Sequence, residues 1–187
     1  MTVERLGGIL GAPSTSPAPV PWEGSAAALN GLLFPADYRW LVDTYGEIRI
    51  RFDFEICIPR LDRGGFEVFR DYAARAYEEV ELVHEEPMFP ETPDRPPHEM
   101  FPTPGGLLPW GGDNRGNHVF WLTADPDPDR WPVVVWIQDL EQWDLFPGGV
   151  AAFLTAVLVG EYHLGQELLG SEEYPLWESA ADWSGRK

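Results

Sequence analysis

The chain has one cysteine, few cations and no long apolar run. Cys57 has no second cysteine to pair with, so an internal disulfide is excluded, and a reducing cytoplasm is the expected compartment. The longest apolar stretch, residues 150–159, is interrupted by Thr155. It falls short of the roughly 20 residues that a membrane-spanning helix needs, so no span is expected. Glu4 stands where a secretory signal carries a basic cluster, and no apolar segment follows, so export by that route is not expected. Lysine occurs once, at Lys187, and the other twelve basic residues are arginine. With abundant Ala, Gly and Pro, this composition fits a bacterium with GC-rich DNA.

Signatures of chemistry are also missing. There is no Gly-x-Ser-x-Gly elbow, no phosphate loop and no dinucleotide fingerprint. His84, His98, His118 and His163 are scattered and have no partner at metal-ligand spacing, so no metal and no cofactor is expected. Cys57 lies in an alternating segment and reads as an inert strand residue. With 31 acidic side chains, carboxylate pairs arise by composition alone and do not argue for an enzyme.

What the chain does have is negative charge, and it is unevenly spread. Residues 1–75 carry 8 basic and 10 acidic side chains, whereas 76–187 carry 5 and 21. Such a surface repels phosphate backbones and disfavours nucleic acid as a partner. It attracts a basic protein and speeds its association. The same acids also serve plain solubility.

Along the chain, residues 1–20 are rich in Gly, Pro, Ser and Ala and predict a mobile arm. Residues 22–33 predict a short helix that Gly31 weakens. Pro35 opens a second helix, with Tyr38, Leu41, Val42 and Tyr45 on one face and Gly46 at its stop. From Ile48 to Ile58 apolar residues alternate with polar ones, the mark of a half-buried antiparallel strand or a bent pair. Helical spacing returns over 66–83. The acids Glu78, Glu79 and Glu81 near its end oppose the helix dipole and predict fraying or a partner. Residues 85–104 hold seven prolines and predict a long loop.

Residues 105–137 read as a β-meander. Trp110, Trp121 and Trp131 recur among β-branched runs, with Gly-, Asn-, Asp- and Pro-rich turns between them. Strands are expected near 106–109, 117–123 and 131–138. Trp121 and Trp131 are expected in the core, and Trp110 less so, beside its Gly-rich turn. Residues 111–117 superficially suggest a cation loop, but they lack the later bidentate Glu and predict a self-bonded turn. Val150, Phe153, Leu154, Val157 and Leu158 mark a last helix. An acidic tail follows from about 166, with Trp177 and Trp183 as candidate docking anchors. The pattern predicts a single α+β domain over 21–165, an antiparallel sheet with helices packed on one face.

In that order and spacing the chain resembles the SUKH superfamily, which includes a yeast regulator of cell-wall glucan synthesis and many bacterial immunity proteins. The resemblance rests on Trp22-Glu23, on Leu33-Phe34-Pro35-Ala36-Asp37-Tyr38, and on Tyr45-Gly46. It continues through Gly106-Leu107-Leu108-Pro109-Trp110-Gly111 with Asp113, Phe120-Trp121, Trp131 to Val135, and Phe153-Leu154. The resemblance implies a SUKH-like fold and a protein that binds proteins rather than an enzyme. In the immunity branch the partner is a cognate toxin, often a nuclease. In the fungal branch the protein is a regulatory scaffold with several partners. A nuclease is basic where it meets its substrate, and an acidic surface can occupy that face. The candidate contacts are Asp125, Asp127, Asp129, Glu141 and Asp144, with Trp110 and Trp143 as apolar anchors.

Overall fold

The structure is a computed structural model that describes residues 2–51, 53–93, 95–169, 174–180 and 182. Phe52 of the alternating segment and the candidate anchor Trp183 lie outside the described residues.

The alternating segment folds as a tight hairpin. Strand β1 (Ile48–Ile50) turns at Arg51, whose φ is +50°, into β2 (Phe54–Ile56). Of the two expected forms, the bent pair is the one adopted. The meander supplies β3 (Leu107–Gly112), β4 (His118–Leu122) and β5 (Val133–Ile137); β4 and β5 lie within the expected spans, whereas β3 runs on through Gly112 into the residues expected to turn. Two further strands were not foreseen. β6 (Gln142–Phe146) pairs with β5 over five residues, and β7 (Trp177–Ser179) pairs with β1. These seven strands pair antiparallel, in the order β6-β5-β4-β3-β2-β1-β7.

Residues 2–10 correct an expectation. They form helix α1 (Thr2–Leu10), not a mobile arm. Leu6 and Leu10 are buried, and α1 packs on α5 (Val150–Leu158). Val3, Leu6 and Leu10 lie on one helical face, a pattern that the glycines at 7 and 8 obscure in the sequence. The helix expected over 22–33 is shorter. A 3₁₀ turn leads into α2 (Ser25–Ala28), which ends where Asn30 and Gly31 take positive φ. Helix α3 (Ala36–Tyr45) buries the four residues expected of it and stops at Gly46, with φ +68°. Helix α4 (Glu67–Glu85) runs intact through its acidic end. A short α6 (Gly165–Leu168) follows α5.

The fold is a single α+β domain. In β4, Val119 and Trp121 face the larger core, with α1, α3 and α5, while Phe120 faces a smaller one. Helix α4 bridges the two. Phe69 and Ala73 enter the larger core, and Ala76 and Val80 the smaller one on the opposite sheet face. Helices therefore lie on both faces, not one, because α4 is long enough to cross from one core to the other.

Two carboxylates tie the helices to the sheet in series. Asp129, in the turn before β5, accepts a hydrogen bond from the Ala36 amide at 2.6 Å, at the start of α3. Asp37, in the first turn of α3, accepts from the Ala151 amide at 2.9 Å, at the start of α5. Each supplies an acceptor that neither N-cap residue provides. A Cβ on Gly149 would stand 2.6 Å from the Asp37 carboxylate, so the close approach requires glycine there. Burial holds the Asp37 carboxyl above its ordinary value, against the hydrogen bonds from Ala151 and Tyr38 that lower it.

Asp37→Ala is expected to cost about 1–3 kcal/mol in urea unfolding, because it strands a buried N–H. Asp37→Asn keeps an acceptor and should cost less. The raised Asp37 value means that the folded state takes this proton first on acidification. Wild-type stability should therefore rise relative to Asp37→Asn as pH falls through that value.

Candidate functional site

The seven candidate contacts meet different fates. Trp110 is fully buried among Phe54, Trp121 and Phe153 and is a core residue, so it cannot anchor a partner. The large apolar ring outweighed the Gly-rich turn beside it. Asp125, Asp127 and Asp129 form a self-bonded turn. Asp125 accepts from the Asp127 amide, Asp127 accepts from the Asp129 amide, and Asp129 caps α3. Asp127 and Asp129 remain exposed.

Glu141, Trp143 and Asp144 come together on β6 or just before it. Glu141 is buried and organises the Pro-rich loop. It accepts from the amides of Met88 at 2.7 Å and Phe89 at 3.1 Å and from the Thr92 hydroxyl. Burial pushes its carboxyl up, but these bonds outweigh that and hold it below its ordinary value. Trp143 is half-buried, stacked on His84 with an interplanar angle of 10° and packed on Trp136. Its Nε1–H donates to His84 Nε2 at 3.1 Å. His84 Nδ1 then donates to the Pro93 carbonyl, which assigns the tautomer and ties the end of α4 to the loop. This tie is a physical reason why α4 does not fray. Asp144 accepts from the Tyr162 hydroxyl at 2.9 Å.

Helix α4, the Pro-rich loop, the turn before β6 and β6 itself each expose apolar side chains. Leu82 is 64% exposed, Met88 74%, Phe89 38% and Leu140 41%, while Leu145 on β6 is 50% exposed. Glu78, Glu81, Glu85, Glu86, Glu91 and Asp139 are exposed on the same helix, loop and turn. Met88, Phe89 and Leu140, brought together by Glu141 on acidic ground, have the composition of a protein-binding surface. Sequence reading missed Leu82, Met88 and Phe89. The available signal was the Met88-Phe89 pair within an otherwise Pro-rich and acidic run.

A second feature lies between β1, β2, α4 and the β3–β4 turn. It is a cleft of about 620 Å³. Across its floor the Tyr72 hydroxyl meets His118 Nδ1 at 3.1 Å, and His118 Nε2 meets Glu79 at 2.9 Å. A Cβ on Gly112 would stand 2.5 Å from the Tyr72 hydroxyl, so the glycine makes room for this chain of groups. Arg49 pairs with Glu55 and Arg60 with Glu47 along the rim. Burial pushes the Cys57 thiol up to about 12, so near neutral pH it is protonated and a poor nucleophile. The neighbouring loop is the self-bonded turn that the sequence predicts. Asp113 accepts from the amides of Arg115 and Asn117 and from both their side chains.

A family model described as SMI1-KNR4 cell-wall, in the SUKH group, matches residues 26–147. The chain belongs to this SUKH family. No curated protein and no solved structure matches it. The SUKH match begins in α2 and ends just after β6, so it takes in the β6 surface and the cleft. Helices α1, α5 and α6 and strand β7 lie outside it. SUKH domains interact with proteins and are generally non-enzymatic, and their types include cell-wall regulators and immunity proteins. No helix among the described residues is long and apolar enough to cross a membrane.

Within this SUKH domain His118 offers a pH probe. Burial lowers its imidazole value, against the opposing charge and hydrogen bond of Glu79. The unfolded chain therefore takes this proton first as pH falls below the ordinary value of about 6.5. Wild-type stability is expected to decline on acidification through that value relative to His118→Gln, measured by urea unfolding between pH 8 and 5.

Proposed function

We propose that this chain is a non-enzymatic protein-binding domain of the immunity type, which neutralises a basic cognate toxin inside the cell that makes it. A nuclease fits the charge requirement, since its substrate face must attract polyanions. The observation that carries the reading is the exposed pair Met88 and Phe89, whose amides are held by Glu141 beside the exposed Leu140, on strongly acidic ground. Apolar contacts supply affinity and the acids supply steering. Trp143 and Leu145 extend the surface along β6. Glu141 acts by holding the loop in place rather than by touching the partner. The exposed Asp127 and Asp129 widen the acidic field.

A regulatory scaffold with several partners is the second reading, favoured by the cell-wall description of the matching family. Purification from the native host at low salt separates the two. One basic protein, which arrests growth when expressed alone and not when expressed with this chain, is the expected result. Several unrelated partners would favour the scaffold.

Charge reversal tests the surface itself. Glu81→Lys, Glu85→Lys and Glu86→Lys place cations at the C-terminal end of α4, where they complement the helix dipole and should leave stability intact. Association with the basic partner at low ionic strength should slow by about 10- to 1,000-fold and lose most of its salt dependence. An unchanged rate and salt slope would rule this surface out.

A further inference from the structure

We infer that β6 is an open sheet edge to which a basic, extended segment of a protein partner adds as an eighth strand. The inference rests on the protein-binding reading above and specifies how the partner docks.

β6 is the terminal strand on its side of the sheet. It pairs with β5 from Gln142 to Phe146 in continuous register, and no strand, helix or loop among the described residues hydrogen-bonds through backbone to its outer side. Its alternate outward N–H and C=O groups are therefore presented as a ready ladder.

Natural sheets usually blunt such an edge with Lys, Pro, a bulge, a covering segment or a very short strand. The opposite edge follows that practice, since β7 is only three residues long. β6 does not. Its sequence is Gln-Trp-Asp-Leu-Phe, with no Lys, no Pro and no register shift. Its one charged residue, Asp144, is engaged by Tyr162. Leu145 lies opposite Val134 and Trp143 opposite Trp136, so one face of the edge is apolar and half exposed.

Charge selects the occupant. With a net charge of −18, two copies of this chain repel, which disfavours edge-to-edge pairing of β6 with itself. The same charge draws in a strand that carries Lys or Arg. In that arrangement backbone hydrogen bonds hold the strand, apolar residues of the added strand pack beside Trp143 and Leu145, and its cations face the acids of α4 and the Pro-rich loop. This is recognition by strand addition.

The test uses the full chain, an alternating Lys-Val octapeptide, a Glu-Val octapeptide and a Lys-Val peptide interrupted by proline. Amide hydrogen exchange read by NMR should show about tenfold slowing at alternate amides of residues 142–146 with the Lys-Val peptide only. Leu145→Lys changes a half-exposed side chain and should leave the urea midpoint unchanged. It should weaken the peptide by about tenfold or more through like-charge repulsion. Equal binding by the proline-interrupted peptide would overturn the inference, since charge alone would then suffice. Protection elsewhere, or none, would also overturn it, as would protection of 142–146 by self-association without peptide. Repeating the measurement with the basic partner from the native host separates the two levels. If Leu145→Lys keeps that partner at full affinity, strand addition fails while protein binding stands. If no basic partner exists, the protein-binding reading fails and the inference fails with it.

Discussion

The fold is assembled around Trp121. Its ring meets Tyr38 at 4.9 Å and Phe34 at 5.6 Å from the α3 side, Phe69 of α4 at 6.5 Å, and the other two meander tryptophans at 6.0 and 6.3 Å. One side chain thus joins the sheet to two helices. The Nε1–H groups of Trp121 and Trp110 are buried and have no hydrogen-bond partner among the described residues. Each costs on the order of 1–3 kcal/mol. The fold tolerates that cost because each large ring removes roughly 150–250 Å² from water and gains aromatic contacts besides. Asp129 and Asp37 then set where α3 and α5 begin, so the helix layer is positioned by the meander that it covers.

This division of labour explains why the acidic residues are not interchangeable. Asp37, Asp113, Asp129 and Glu141 are consumed by backbone amides and hold turns, helix starts and the Pro-rich loop in place. Those on the exposed face of α4 and in the loops set the field around the molecule. The exposed Asp129 does both, since a hydrogen-bonded carboxylate keeps its charge.

Much of the architecture was legible because it rests on local periodicity. Tyr38, Leu41, Val42 and Tyr45 repeat at helical spacing and are all buried. The alternation from Ile48 to Ile58 gave a hairpin. The meander strands β4 and β5 lie where the tryptophans and turn residues place them. What was not legible depends on partners distant in sequence. α1 is helical because Leu6 and Leu10 find α5, across some 140 residues. β7 is three residues long and exists because β1 offers an edge. β6 carries a polar-apolar mixture with no strong period, and its strand state comes from β5.

The candidate site divides in the same way. Net charge, its bias towards the C-terminal part and the family follow from the order of residues alone, because charge and spacing are properties of the chain. Which acids face solvent, that Trp110 is core, that Met88 and Phe89 are presented by Glu141, and that β6 ends the sheet were decided by tertiary structure. Burial and edge position depend on what packs alongside, and no local pattern encodes that neighbour.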